Sequence, residues 1–364
     1  MASSIMRHGY RIINGASALA ALPLATRKMP VDVWFGGARS GDGGGPLVKA
    51  RILKQHFKDT PIGYSLLYLL SNALYLPDPV MAAIRARDIP IVLNQNGVFY
   101  PAWHPQGWEK ENARIAGAYH RASHVFWQSD FCRRCANHFL GERDGPGEIL
   151  PNAVDTKRFK PLIGEKRDRP FTMLLTGMIG PSTAYRLSSS LDGLAVARAN
   201  GLDVLLHVAG FVDKAVQGNA TQQIERLGLQ NAVRFLGPYS GADAPAIYQS
   251  ADGYLMTKHN DPCPNVVIEA MSSGLPILYS ASGGVPELVG PDAGVGIPVE
   301  ESFEKIIAPE AIAIAEGLER LIATREKLAV AARTRATNKF DLSKWIGRHQ
   351  TVFEQLVRDG QVNQ

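Results

Sequence analysis

The chain has 364 residues, 45% hydrophobic and 20% charged, which is enough apolar mass for two ordinary domains and too little charge for a disordered chain. A formal charge of +5 and a pI near 9.0 favour anionic partners without choosing among nucleic acid, an acidic membrane face and a phosphorylated small molecule. Three cysteines argue against a disulfide framework and for a reducing compartment, and no apolar run reaches the ~18 residues of a spanning helix.

Residues 1–30 read as an N-terminal extension. Arg7 and Arg11 precede "IINGASALAALPLA", a faint signal-like shape that Asn14, Gly15 and Pro23 interrupt. An added helix, a membrane-surface segment and a disordered leader all fit it.

From Val31, strand and helix alternate. "VDVWF" reads as a strand, "GGARSGDGGGP" as a glycine-rich turn and "LVKARILKQHF" as a helix. Such a turn lets backbone amides approach a phosphate, which makes Gly43, Gly44 and Gly45 candidates to touch a nucleotide; a flexible loop is the competing reading. The dinucleotide fingerprint and the P-loop are both missing. "YSLLYLL", "IPIVLNQNG", "HVFWQS" and "GEILPNAV" are the next strands, separated by helices at "DPVMAAIRAR", "GWEKENARIAGAYHRA" and "DFCRRCANHFL", the last capped by Asp130. Cys132, Cys135 and His138 have a metal-like spacing, but no second ligand group matches it, so incidental thiols on a helix are expected. Trp103 and His104 in "YPAWHPQGW" could line a pocket for a sugar acceptor or simply pack in a loop.

"KRFKPLIGEKRDRP" (157–170) is charged and bounded by prolines, and reads as a linker. A second alternating series follows, with strands at "FTMLLTG", "LDVLLHVAG", "AVRFLG" and "GYLM", helices at "AYRLSSSLDGLAVARANG", "NATQQIERLG" and "ADAPAIYQSA", and a helical tail over 309–357. Repeated β-α units predict parallel sheets covered by helices, here two Rossmann-like β/α/β domains, over 31–160 and 161–340, facing a central cleft. The last helix, in 341–364, could cross back to the first domain.

The stretch "NDPCPNVVIEAMSSGLPILYSASGGVPELV" carries the most chemistry. Pro264 suits a first helical position, and the amides of Asn265 and Val266 would open a helix N-terminus, a ready anion site. On a helical wheel Val266, Val267, Ala270 and Met271 share the apolar face, while Asn265 and Glu269 share the outer one. Glu269 alone would be an ordinary surface carboxylate.

Together with "GEILPNAVDTKRFKP" and "VRFLGPYSGADAPAIYQSADGYL", this stretch resembles the retaining glycosyltransferases of family 4, which have the two-domain GT-B fold. The resemblance covers nearly the whole chain from about Val31. It implies transfer of a sugar from a UDP- or GDP-sugar to a glycan or lipid-linked acceptor in surface polysaccharide assembly. It also implies a cytoplasmic enzyme with no resident cofactor or metal; peripheral contact at the membrane face stays open, and the lack of any reading motif argues against a nucleic-acid partner. By position, Asp261 would contact sugar hydroxyls and Glu269 the ribose, while the helix amides would hold the diphosphate. The Asp-x-Asp pair of metal-dependent enzymes is absent.

Three departures are visible. Asp261 stands where Glu is commoner. Asn96 stands near the expected His, and can make a polar contact but not act as a base. The usual Arg and Lys pair is missing from "TGMIGPSTAYRLS", leaving Arg186 and Lys258 as candidate cations. A GT-B epimerase or hydrolase, and a nucleotide-sugar-binding protein without catalysis, are the alternatives.

Overall fold

The computed structural model describes residues 2–41, 45–162 and 169–359. They fall into two compact units; one runs to Pro151 and takes in the chain from Ser343 onward, and the other spans Asn152–Leu342.

The first unit holds α1 (Ala2–Ala21), β1 (Val33–Trp34), α2 (Gly45–His56), β2 (Leu66–Leu70), α3 (Asp78–Ala86), β3 (Ile91–Gln95), α4 (Trp108–Arg121), β4 (His124–Trp127), α5 (Asp130–Leu140) and β5 (Gly147–Ile149). Its five strands are all parallel in the order β1-β2-β3-β4-β5. "LLYLL" is buried at every position, as a parallel strand covered on both faces must be. β3 starts apolar and ends in buried Asn94 and Gln95, so polar chemistry collects at the carboxyl end of this sheet. The cap of α5 is Ser129, whose hydroxyl accepts from the Cys132 amide; Asp130 is the first helical residue.

The second unit holds β6 (Phe171–Thr176), α6 (Ala184–Ala199), β7 (Val204–Ala209), α7 (Lys214–Arg226), β8 (Val233–Gly237), α8 (Ala244–Gln249), β9 (Gly253–Met256), α9 (Asn265–Ser272), β10 (Ile277–Ser280), α10 (Val285–Val289), β11 (Gly294–Ile297), α11 (Ala311–Ala323) and α12 (Arg325–Lys339). Its parallel sheet runs β11-β10-β9-β6-β7-β8. The strand order therefore reverses between β6 and β9, and a parallel sheet opens a crevice at the carboxyl ends of such a pair. Neither β11 nor α10 is evident from pattern, because each is short and glycine-flanked. α7 begins five residues earlier than the expected Asn219, since Asp213 caps it through the amides of Ala215 and Val216.

α13 (Leu342–Asp359) belongs to the first unit. Its Phe353 packs on Phe57 and Tyr68, and His349 packs on Phe126. The His349 ring nitrogens meet Tyr68 Oη at 3.0 Å and the Trp345 carbonyl at 2.9 Å, and burial pulls its pKa down to about 3, so it stays neutral.

The boundary between units lies at Pro151, ahead of the charged stretch expected to hold it. The reason is packing. Val154 and Phe159 are buried in the core of the second unit, Asn152 Nδ2 donates to the Cys263 carbonyl (2.9 Å), and Arg333 donates to the carbonyls of Thr156 and Phe159. Residues 163–168 of the expected linker lie outside the described residues. Among the described residues no helix is long and apolar enough to cross a membrane.

Candidate functional site

The turn from β9 into α9 sits at the carboxyl end of the β6–β9 pair. Asn260 takes up a left-handed conformation (φ 52°) that turns the chain, and its amide donates to Ser282 Oγ (3.0 Å). Asp261 Oδ1 then accepts from the Cys263 amide (3.1 Å), a local turn that aims the chain into the helix. Pro264 is extended (φ −70°, ψ 120°) and is the cap residue, so the first helical position belongs to Asn265 and not to the proline. Residues 263–264 are buried and Val266 only partly so; Ile268 takes the core place expected of Val266.

The first amides of any helix lack partners within it, and the positive end of the α9 dipole points the same way. Around this helix start, His259 Nδ1, Asn260 Oδ1, Asn265 Oδ1 and Ser280 Oγ are enclosed without a hydrogen-bond partner. Groups of that kind are rare in interiors and suit a polar ligand.

Lys258 and Asp261 meet directly, Nζ to Oδ2 at 2.7 Å, with Lys258 the more exposed of the two. Arg186 is only 5% exposed, not a solvated cation. It donates to the Thr176 carbonyl at the end of β6 (3.2 Å). Thr257 Oγ1 donates to the Arg186 carbonyl (3.0 Å) and Tyr185 Oη accepts from the His259 amide (2.9 Å), which lace the start of α6 to the end of β9. Arg186, Lys258, Asp261, the α9 amides and Glu269 thus belong to one end of one sheet.

Glu269 departs from the wheel's expectation. It is half-buried, and Tyr248 of α8 donates to its Oε2 at 2.7 Å. Burial pushes its carboxyl pKa up, partly opposed by the Tyr248 hydroxyl and by Arg158. Tyr239, Tyr248 and Tyr254 surround it, each with a raised hydroxyl pKa to which the Glu269 charge contributes. A helix packed on most sides has no solvent face at mid-length, so the "outer" side of α9 faces this tyrosine pocket. Tyr248 restrains one carboxylate oxygen and leaves Oε1 as a further acceptor. With Glu269 on the ribose, as the resemblance implies, Tyr248→Phe is expected to weaken nucleotide binding by about 0.5–1.5 kcal/mol, because the acceptor loses its orientation and keeps its charge. Titration calorimetry against a nucleoside diphosphate reads this, and an unchanged affinity would remove Tyr248 from the site.

The remaining candidates sit in the first unit. Asn96 Oδ1 accepts from Lys49 Nζ (2.8 Å) and from Gln128 Nε2, and its Nδ2 donates to Asn72 Oδ1 (2.6 Å). Lys49, only 6% exposed, also donates to Asn94 Oδ1 (2.7 Å). Gly45 is the first residue of α2 and not part of the turn; Gly43 and Gly44 lie outside the described residues. Trp103 is 42% exposed and stacks on Phe99 (4.8 Å), with His104 against the same ring. Cys132 Sγ donates to the Gln95 carbonyl (3.2 Å), and among the described residues no three His, Cys, Asp or Glu side chains form a metal-sized group.

Sequence reasoning missed Tyr248, Arg158 and Lys49. Tyr248 read as one more apolar residue of "APAIYQ", and the two cations read as helix or linker surface.

The family model described as Glycosyl transferases group 1 matches residues 185–338, which run from within α6 to within α12 and include every second-unit candidate above. A D-inositol 3-phosphate glycosyltransferase of Salinispora tropica is 27% identical over 206 residues, 51% of this chain and 41% of that protein. A glycogen synthase of Mycobacterium tuberculosis is 25% identical over 276 residues, 72% of this chain and 62% of that one. The chain spans about a third to two fifths of the length of the first curated relatives it matches. Among solved structures, sucrose-phosphate synthase from Thermosynechococcus elongatus superimposes with a TM-score of 0.65 at 18% identity, over 82% of this chain and 75% of that one. Anabaena Alr3699/HepE in complex with UDP gives 0.63 at 20%, over 88% and 83%. Residues 185–338 thus match the glycosyl transferases group 1, and the fold is the α/β GT-B fold.

Proposed function

We propose that the chain is a retaining, metal-independent glycosyltransferase of family 4. It takes a sugar from a UDP- or GDP-sugar and passes it to a glycan or lipid-linked acceptor in cytoplasmic surface-polysaccharide assembly. The observation that carries the reading is the second unit's crevice, where a tyrosine-held Glu269, the start of α9 and the Lys258–Asp261 pair share one sheet end. Structural neighbours described in complex with UDP and with UDP-glucose support a nucleotide-sugar donor.

The proposed division of labour follows from charge. Breaking a glycosyl–phosphate bond leaves a diphosphate, and fixed donors aimed at the leaving oxygen stabilise that charge most where water is excluded. The α9 amides, Arg186 and Lys258 are those donors. Asp261 orients the sugar hydroxyls, Glu269 accepts from the ribose, and the leaving phosphate takes the acceptor's proton. Asn96, held by Lys49 and Gln128, and the aromatic pair Trp103 and His104 are assigned to acceptor contacts.

Titration calorimetry with UDP and GDP should show binding to the full chain, and no heat with either at millimolar concentration would sink the reading. Asp261→Ala should lower sugar turnover by roughly 100-fold with little change in nucleotide affinity. Loss of nucleotide affinity in place of turnover would move Asp261 from the sugar to the phosphates. Free sugar as the sole product would favour a hydrolase, and no release over long incubation a binding protein.

A further inference from the structure

α1 is riveted to the first unit by its inner side. Tyr10 Oη donates to the Gly37 carbonyl (2.8 Å), Asn14 Nδ2 donates to the Gly36 carbonyl (2.9 Å), and Gly15 and Ala18 are buried. The outer side carries Ile12, Ile13, Ala16, Ser17, Leu19 and Ala20, all exposed and none charged. Ile12 and Leu19 lie seven residues apart on one stripe, 57% and 49% exposed, with Ile13 beside them at 67%. Surface helices of soluble domains ordinarily present charged residues outward, so an uncharged outer face needs a partner.

Charge says which. The first 31 residues contain no Asp or Glu, and Arg7 and Arg11 lie on α1 itself. Arg39 borders the helix, its guanidinium 4.6 Å from the Tyr10 ring centre. The bias extends to the whole unit, which has 20 Lys and Arg against 13 Asp and Glu; the second unit has 19 against 21. The net positive charge of the protein therefore resides in the unit that bears the apolar helix face.

A self-complementary contact between two such helices would bring two positive units together. An anionic surface would not. We propose that the first unit docks on a bilayer bearing anionic headgroups, with α1 lying in the interfacial plane, its Ile12–Leu19 stripe among the upper acyl chains and the basic residues at its border, Arg39 among them, at the phosphates. Docking needs no ordering of the helix, because the Tyr10 and Asn14 bonds already hold it. The proposal is independent of the donor reading, since neither nucleotide nor acceptor takes part.

Co-sedimentation of the full chain with phosphatidylcholine vesicles, with and without phosphatidylglycerol, tests it. Binding is expected to the anionic vesicles only, and to fall steeply when salt shortens the screening length to ~3 Å at 1 M. Ile12→Glu with Leu19→Glu should reduce partitioning on the order of tenfold or more, and Ile13→Glu alone by less. Both variants should retain the wild-type circular dichroism and nucleotide titration, because the replaced side chains face outward. Wild-type protein left in the supernatant with anionic vesicles overturns the proposal, as does undiminished binding by either variant. A wild-type dimer that becomes a monomer in the variants, without vesicle binding, assigns the face to a second copy.

Discussion

Glu269→Gln is expected to cost about 1.5–3 kcal/mol of nucleoside diphosphate affinity, roughly ten- to 150-fold in Kd, and to leave the protein no less stable. The glutamine keeps an acceptor within reach of the Tyr248 hydroxyl, so the pocket retains its internal bond and shape. What it loses is the charge that would strengthen hydrogen bonds from the proposed ribose diol. That charge is itself a burden on the empty fold. Burial raises the Glu269 pKa above its unfolded value of 4.5, so between the two values the folded state holds more protons than the unfolded one. Stability contributed by the protonated carboxyl is full below the unfolded pKa and lost as pH rises through the raised one. The variant lacks this loss, so the stability difference between variant and wild type should grow in the variant's favour from pH 4.5 upward. Urea titrations at a series of pH values measure it; a difference that stays flat would mean the carboxylate is not desolvated, and unchanged affinity would place the ribose elsewhere.

Gly283→Ala is expected to destabilise the second unit by about 2–5 kcal/mol, from ~1–2 for a left-handed alanine and ~1–3 for overpacking. Gly283 has φ 69°, and a Cβ there would fall 2.7 Å from the Asp261 carbonyl oxygen and 2.8 Å from the Asp261 amide nitrogen. Both are backbone atoms, so no side chain can swing aside. The next residue, Gly284, donates its amide to that same carbonyl (2.9 Å), which makes this turn the buttress of the Asp261 loop. Nucleotide binding should fall with stability. Gly218→Ala is the matched control, since it lies within α7 with open space around its Cβ position and should stabilise by up to ~1 kcal/mol. A denaturation midpoint for Gly283→Ala equal to that of the wild type would show that the turn can relax, and would remove its buttressing role.

Much of the fold was legible because it is local. The buried run of β2, the polar end of β3 at Asn94 to Asn96 and the helical tail all follow from runs and periods a few residues long. The junction of Ser71 and Asn72 with Asn96 was also foreseeable, since successive parallel strands end side by side. The strand order was not, because β6 pairs with β9 across three intervening helices and no residue in either strand names its neighbour. The site divides the same way. Asp261, Asn265 and Glu269 are marked by spacing, but the direction in which Glu269 points depends on Tyr248, which arrives from α8. Lys49 had the look of a helix-surface lysine, and the side-chain amides of Asn94 and Asn96 at the end of β3 give it a buried place.

The reversal between β6 and β9 also bears on how the candidate site is assembled. Met173 pairs with Gly253 and Leu174 with Tyr254, so the central ladder of the second unit closes only after the intervening chain has folded or been looped out. Contacts so remote in sequence are slow to form. A chain with β6, β7 and β8 already assembled can have ordinary helical content and still lack the floor on which Tyr254, Tyr248 and Glu269 meet. In refolding, recovery of nucleotide binding should trail recovery of helical signal, and bound nucleotide would select the chains in which that last ladder has zipped.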